Sequence, residues 1–88
     1  MNVRFERRFA KDLRNLSDKK LLSKAKEIIA ECKSADSVSD IKSIKKLQGY
    51  ESFYRIRIGD YRVGVEVVDN ALVFVRLLHR KDVYKYFP

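Results

Sequence analysis

The sequence predicts an α+β domain in which a short N-terminal strand and a two-helix hairpin pack on an antiparallel β-meander sheet. Two observations predict this fold. Apolar residues recur every three to four positions in the first part of the chain, and they alternate with polar residues in the last part. Helices followed by strands are typical of domains whose helices cover one sheet face. With 88 residues, the chain is expected to form a single domain over residues 1–88.

The helical part follows a short strand. Val3 and Phe5 alternate with polar neighbours, which favours a strand at the N-terminus. From Phe5 the apolar spacing becomes that of a helix face, and Ser17 is a suitable N-cap for a second helix. The second helix carries an apolar stripe formed by Leu21, Leu22, Ala25, Ile28, Ile29 and Cys32. The small polar residues of segment 33–40 indicate a loop.

The C-terminal half is predicted to form three consecutive strands. Residues 53–58, 61–68 and 72–78 alternate between apolar and polar positions. Gly59-Asp60 and Asp69-Asn70 separate these runs and are typical of tight turns. With the N-terminal strand, we expect a sheet of three or four strands.

The composition restricts the kinds of partner and site. The net charge of +8 favours a polyanionic partner, either nucleic acid or an acidic protein, although a basic domain without such a partner is the alternative. A single Cys and a single His exclude an internal disulfide and a Cys/His zinc site. No phosphate-binding loop or serine-hydrolase motif is present, so we expect no cofactor and no metal. Because no segment has the apolar length of a membrane span or signal peptide, we expect a cytoplasmic protein without a membrane partner.

Three arginines mark the first hairpin as a candidate site. If Gly59-Asp60 is a two-residue loop, Arg57 faces Arg62 across the strand pair and Arg55 faces Gly64. Like charges in these positions destabilise a sheet unless something compensates them. A bound anion would do so, since guanidinium groups match phosphate oxygens, and Gly64 would leave space for a ligand. The alternative is that the arginines only keep the outer sheet face soluble.

The segment His79–Tyr84 is a second candidate. His79 is the only side chain here whose ordinary pKa lies near neutral pH, and Arg80 and Lys81 add cationic donors. Tyr84 and Tyr86 are suited to stacking on the bases of single-stranded RNA.

The alternative for this segment is structural. Val83, Tyr84 and Phe87 would then form a last hydrophobic turn that closes the core, with His79 taking no part in function.

Four segments together resemble the RelE branch of the RelE/ParE toxin superfamily: Lys45–Gly49, Tyr54–Arg57, Gly59–Arg62 and His79–Tyr84. The resemblance covers nearly the whole chain and implies a helix hairpin on an antiparallel sheet. It also implies a type II toxin that cleaves mRNA in the ribosomal A site without a metal and thereby inhibits translation. A cognate acidic antitoxin would wrap the toxin, giving a toxin–antitoxin hetero-oligomer.

The resemblance assigns roles to individual residues. Arg55, Arg57 and Arg62 would cradle the scissile phosphate, Arg80 would lie on the leaving-group side, and Tyr84 would orient the flanking base. The predicted catalytic set is Arg55, Arg57, Arg62, His79, Arg80 and Tyr84, and the predicted RNA-binding set is Lys45, Lys46, Lys81 and Tyr86.

We expect His79 to transfer the proton, because its ordinary pKa suits neutral pH, and the alternative is that it orients a phosphate. The family often carries lysine where Arg55 and Arg57 stand here, and arginine is effectively always protonated and a poor general base. A ParE-like inhibitor of DNA gyrase is the alternative function, and a relative that binds antitoxin or RNA without cleaving is a third.

Overall fold

The computed structural model describes all 88 residues and confirms the predicted α+β fold. The elements, in chain order, are β1 (Asn2–Phe5), α1 (Arg7–Arg14), α2 (Lys19–Ser34), a 3₁₀ turn (Val38–Asp40), β2 (Ile44–Lys46), β3 (Phe53–Ile58), β4 (Tyr61–Val68), β5 (Ala71–His79) and α3 (Val83–Tyr86).

The sheet has five strands in the order β1-β5-β4-β3-β2. The predicted antiparallel meander is formed by β3, β4 and β5, and β2 pairs antiparallel with β3. The N-terminal strand differs from the expectation, because β1 runs parallel to β5, from Asn2 beside Ala71 to Phe5 beside Phe74. The sheet is therefore mixed. The strand β2 was not predicted, since its three residues are too few to show alternation.

The helix boundaries differ slightly from the predicted ones. Helix α1 begins at Arg7 rather than Phe5, because Phe5 is held in the sheet by its pairing with β5. Helix α2 is capped by Asp18 rather than Ser17. The Oδ1 atom of Asp18 accepts hydrogen bonds from the backbone N–H of Lys20 at 2.9 Å and from that of Leu21 at 3.2 Å. A carboxylate is also favoured at this end by the helix dipole. At 16 residues, α2 is the longest helix, and no helix is long and apolar enough to cross a membrane.

The main core lies between α1, α2 and one face of the sheet, here called the helix face. The rings of Phe9 in α1 and Phe74 in β5 meet edge to face, with centroids 5.2 Å apart. This core consists of Phe9, Leu21, Ala25, Cys32, Ala35, Ile41, Ile56, Ile58, Val63, Val65, Leu72, Phe74 and Leu77.

A smaller core lies on the opposite side of the sheet, here called the outer face. Val83 of α3 and the following Phe87 are buried there against Leu47 and Val75. The alternative of a closing hydrophobic turn is thus confirmed for Val83 and Phe87. Tyr84 is not part of that turn's core, because 65% of its surface remains exposed.

Candidate functional site

The register of the β3–β4 hairpin agrees with the sequence prediction. Arg57 lies opposite Arg62, and Arg55 lies opposite Gly64. The turn forms because Gly59 adopts a positive φ of 56°, which suits the first position of a two-residue hairpin loop. Since Ile56 is buried in the main core, strand alternation places the three arginines on the outer face.

The arginines surround a cavity, here called the arginine cavity, that no acidic residue lines. Arg55, Arg57 and Arg62 line it together with Ser43 and Lys45, and its volume is about 220 Å³. None of the three arginines forms an ion pair within 4.0 Å in the protein. The cavity therefore concentrates positive charge that the protein itself does not neutralise.

Arg62 experiences this charge most directly. Burial lowers the pKa of Arg62, and the charges of Arg55 and Arg57 lower it further. Tyr84 acts in the opposite direction, whereas Arg80 adds a smaller lowering effect, so both lie close enough to influence Arg62. An anion at this position would relieve the repulsion among the guanidinium groups.

The hairpin turn holds the Arg62 side chain in place. Its Nη1 donates to the carbonyl oxygen of Gly59 at 2.8 Å and to that of Tyr61 at 2.9 Å. The Arg62 guanidinium is therefore oriented before any ligand binds, and its remaining N–H groups stay free to donate.

A larger cavity of about 550 Å³ adjoins the first and shares Lys45 and Arg55 with it. The two cavities together are here called the basic cleft. Exposed tyrosines at positions 50 and 84 line the larger cavity. Its full lining is Lys45, Lys46, Leu47, Gln48, Tyr50, Arg55, Tyr84, Phe87 and Pro88.

The cleft thus brings together several predicted residues: Arg55, Arg57, Arg62, Tyr84, Lys45 and Lys46. It also includes Ser43, Gln48 and Tyr50, which sequence reasoning missed. Tyr50 is an aromatic residue in a polar turn after a lysine pair, and that signal was available in the sequence.

Arg80 lies beside the hairpin turn and lines neither cavity of the cleft. Its backbone N–H donates to the carbonyl oxygen of Asp60 at 2.8 Å, and its Nε lies 4.0 Å from the Asp60 carboxylate. The side chain of Arg80 remains exposed. Lys81 is also exposed but lines neither cavity of the cleft.

His79 is not brought together with the arginines. It pairs with Tyr61 on the helix face, where the two rings lie edge to face with centroids 5.4 Å apart. The cause is a β-bulge in β5, where Val75 is the extra residue between Phe74 and Arg76. A bulge reverses the alternation, so the odd-numbered His79 points to the helix face instead of the outer face. The predicted role of His79 in proton transfer has no support from this geometry.

Tyr86 also lies outside the cleft. A hydrogen bond with Asp12 is the main cause that raises the pKa of Arg76, and Tyr86 contributes to the same shift. Tyr86 therefore lies near Arg76 rather than Arg62, because residues two apart in a helix face different directions.

Metal-ligating side chains do not cluster anywhere in the protein: no group of three or more His, Cys, Asp and Glu residues is placed to hold an ion.

Comparison with known proteins gives consistent matches over nearly the whole chain. Residues 3–84 match the family described as the ParE toxin of the type II toxin–antitoxin system, parDE. Toxin RelE3 of Methanocaldococcus jannaschii is 45% identical over 89 residues, with 100% of both chains covered. The toxin in a crystal structure of a RelB–RelE antitoxin–toxin complex from Methanococcus jannaschii is 43% identical, with a TM-score of 0.80 over 97% of this chain and 99% of that one.

A more distant structure agrees in fold. The intact RelBE toxin–antitoxin complex of E. coli contains a chain that is 20% identical, with a TM-score of 0.70 over 89% of this chain and 94% of that one. Together with the family match over residues 3–84, these relatives show that the chain belongs to the RelE/ParE superfamily of toxins of type II toxin–antitoxin systems.

Proposed function

We propose that this toxin is an endoribonuclease that cleaves mRNA in the ribosomal A site, without a metal ion, and so inhibits translation. The observation that carries the proposal is the cavity in which Arg55, Arg57 and Arg62 converge with no carboxylate among the lining residues. Guanidinium groups bind phosphate oxygens through paired hydrogen bonds. An uncompensated set of them is suited to a phosphodiester whose charge increases during reaction.

The proposed reaction is an internal transfer within the RNA. The ribose 2′-hydroxyl attacks the adjacent phosphorus, the bond from phosphorus to the 5′-oxygen breaks, and the products are a 2′,3′-cyclic phosphate and a 5′-hydroxyl. Arg55, Arg57 and Arg62 stabilise the charge on the phosphate oxygens in the transition state. The 2′-hydroxyl proton passes to water, and the leaving 5′-oxygen takes up a proton from water beside Arg80, which stays protonated.

The proposed protein partner is an acidic antitoxin. The related chains of known structure are described in complexes with RelB. The net charge of +8 supports binding of an acidic chain, and the basic cleft is its natural target. We therefore propose a toxin–antitoxin hetero-oligomer in the cytoplasm, from which release of the antitoxin frees the cleft for mRNA and the ribosome.

Inhibition of DNA gyrase is the second candidate, because the matching family is that of ParE toxins. A gyrase inhibitor works by binding a protein and has no need of three arginines around a phosphate-sized cavity. The arginine cavity and the RelE-named relative at 45% identity favour cleavage of mRNA.

The two functions are separated by expressing the toxin and examining RNA and DNA in the same cells. The nuclease should stop protein synthesis and leave new mRNA 5′ ends within ribosome-bound codons. Purified toxin with programmed ribosomes should give fragments ending in 2′,3′-cyclic phosphate. Intact mRNA together with loss of DNA supercoiling would contradict the proposal and support the gyrase inhibitor.

A further inference from the structure

We infer that the larger cavity of the basic cleft is a nucleobase-binding subsite in which Tyr50 forms a stacking wall and Gln48 contacts the edge of the base. The bound base belongs to a nucleotide next to the scissile phosphate. This inference rests on the proposed function, because it takes single-stranded RNA as the ligand.

The ring of Tyr50 is oriented by its neighbours. It packs edge to face on Phe53, with centroids 5.6 Å apart and an interplanar angle of 89°. Phe53 in turn packs edge to face on the buried Phe87, also at 5.6 Å. Tyr50 nevertheless remains 47% exposed at the cavity. A ring that is fixed on one side and open on the other is suited to stacking, because little conformational freedom is lost when a base binds.

The backbone before Tyr50 fixes the same position. Gly49 adopts a positive φ of 87°, and the backbone N–H of Tyr50 donates to the carbonyl oxygen of Leu47 at 3.3 Å. Leu47 is itself buried in the outer-face core. The turn that carries Tyr50 is thus anchored to the same small core that holds α3 and Tyr84 on the other side of the cavity.

The size and position of this cavity fit a base attached to a bound phosphate. Its volume of about 550 Å³ lies within the usual range for small-ligand sites. It shares Lys45 and Arg55 with the arginine cavity, so a base here and a phosphate there belong to neighbouring parts of one strand. The rim lysines at positions 45 and 46 favour an anionic backbone beside the base.

Gln48 provides the means to distinguish bases. It is exposed and is the only carboxamide that lines the cavity. A carboxamide has both donor and acceptor atoms, whereas a lysine only donates. Since unstacked RNA bases are recognised through hydrogen bonds to their edges, Gln48 is placed to favour some bases over others.

The test measures binding of RNA that cannot be cleaved. Short oligonucleotides with 2′-O-methyl riboses are compared with matched ones that lack a single base, scanned position by position. For the wild-type toxin, removal of the base held in the subsite should weaken binding roughly 5- to 100-fold. Tyr50→Ala should abolish this difference and bind both oligonucleotides as weakly as the wild type binds the abasic one. Tyr50→Phe, which keeps the ring, should behave like the wild type.

Two further variants distinguish the subsite from the arginine cavity. Arg57→Gln should weaken binding of the intact and the abasic oligonucleotide by the same factor, because Arg57 contacts the phosphate rather than the base. Gln48→Ala should keep the preference for a base but reduce the differences among adenine, guanine, cytosine and uracil.

The inference is overturned if Tyr50→Ala retains the wild-type preference for an intact base, if it weakens both oligonucleotides equally, or if the wild type binds neither. Failure of the proposed function gives a different pattern. If the toxin prefers the intact oligonucleotide through Tyr50 but does not cut mRNA, the subsite is supported and the nuclease function is contradicted. If the toxin cuts mRNA but shows no preference for the intact oligonucleotide, the nuclease function is supported and the subsite is contradicted.

Discussion

Phe87 occupies the space in which a side chain at Gly64 would lie: a Cβ atom added to Gly64 would meet the Phe87 ring at 2.7 Å. Gly64 was expected to leave space for a ligand beside Arg55, but the ring of Phe87 fills this space. The contact fixes the end of α3 to the centre of the outer face, and Tyr84 on the exposed side of α3 is thereby held near Arg62.

Gly64→Ala should therefore destabilise the protein by about 1 to 3 kcal/mol, the usual effect of overpacking a filled site. The same substitution in a Phe87→Ala background should have almost no effect, because the clashing ring is gone. Urea unfolding of the four proteins in this double-mutant cycle measures the coupling. Equal destabilisation in both backgrounds would show that Gly64 matters for some reason other than Phe87.

The partly buried Asp12 closes the edge of β5 where β1 has ended. Its Oδ2 accepts hydrogen bonds from Arg76 Nε at 2.8 Å and from the backbone N–H of Leu77 at 2.9 Å. Asp12→Ala leaves both donors without a partner and should destabilise the protein by about 2 to 4 kcal/mol.

A matched comparison for Asp12 is the exposed ion pair between Glu6 and Arg8. Glu6→Ala should change the free energy of unfolding by less than about 1 kcal/mol. If Asp12→Ala and Glu6→Ala have the same small effect in urea unfolding, Asp12 does not stabilise the strand edge.

Cys32 is fully buried in the main core, and burial raises the pKa of its thiol from 9.0 to about 11. The folded protein should resist alkylation of this thiol until it unfolds. Between these two pKa values the unfolded chain releases the thiol proton and the folded chain keeps it, so the free energy of unfolding should fall as pH rises from 9 to 11.

Cys32→Ala isolates this effect from the titration of lysines and tyrosines in the same range. Its free energy of unfolding should decline less steeply between pH 9 and pH 11 than that of the wild type, by up to about 3 kcal/mol over the interval. Parallel declines in the two proteins would show that the thiol ionises equally in both states.

The local parts of the fold could be predicted from sequence because their signals are local. Gly59-Asp60 between two alternating runs fixed the register that places Arg57 opposite Arg62. The pairing of β1 with β5 could not be predicted in this way, since Asn2 and Ala71 are far apart in the chain and neither carries a signal for the other.

Only part of the candidate site could be predicted from local sequence signals. The arginine face follows directly from strand alternation, whereas the position of His79 depends on the bulge at Val75. The one mark of this bulge is Gly64 on the paired strand β4, which was interpreted as space for a ligand. One extra residue reversed the alternation and moved the predicted proton acceptor to the other sheet face. Tyr50 stands in a polar turn after a lysine pair, but strand alternation does not show that its ring packs on Phe53, which in turn packs on Phe87.

The central claim is that the arginine cavity binds the reacting phosphate, and Arg57 is the residue that tests it best. Its side chain is exposed, faces Arg62 and forms no hydrogen bond or ion pair within 4.0 Å, so it contributes charge without supporting the fold. Arg57→Gln should leave the melting temperature unchanged or slightly higher, because the repulsion with Arg62 is removed. Lys33→Gln, which removes an exposed charge far from the cleft, serves as the matched control.

The deciding measurement is the rate at which Arg57→Gln cleaves ribosome-bound mRNA, relative to the wild type and to Lys33→Gln, with the melting temperature recorded for each. The rate should fall by about 100-fold or more for Arg57→Gln, the typical effect of removing one donor to transition-state charge, and should be unchanged for Lys33→Gln. Cleavage by Arg57→Gln at the wild-type rate would contradict the account, because a phosphate held among these arginines requires the charge at Arg57.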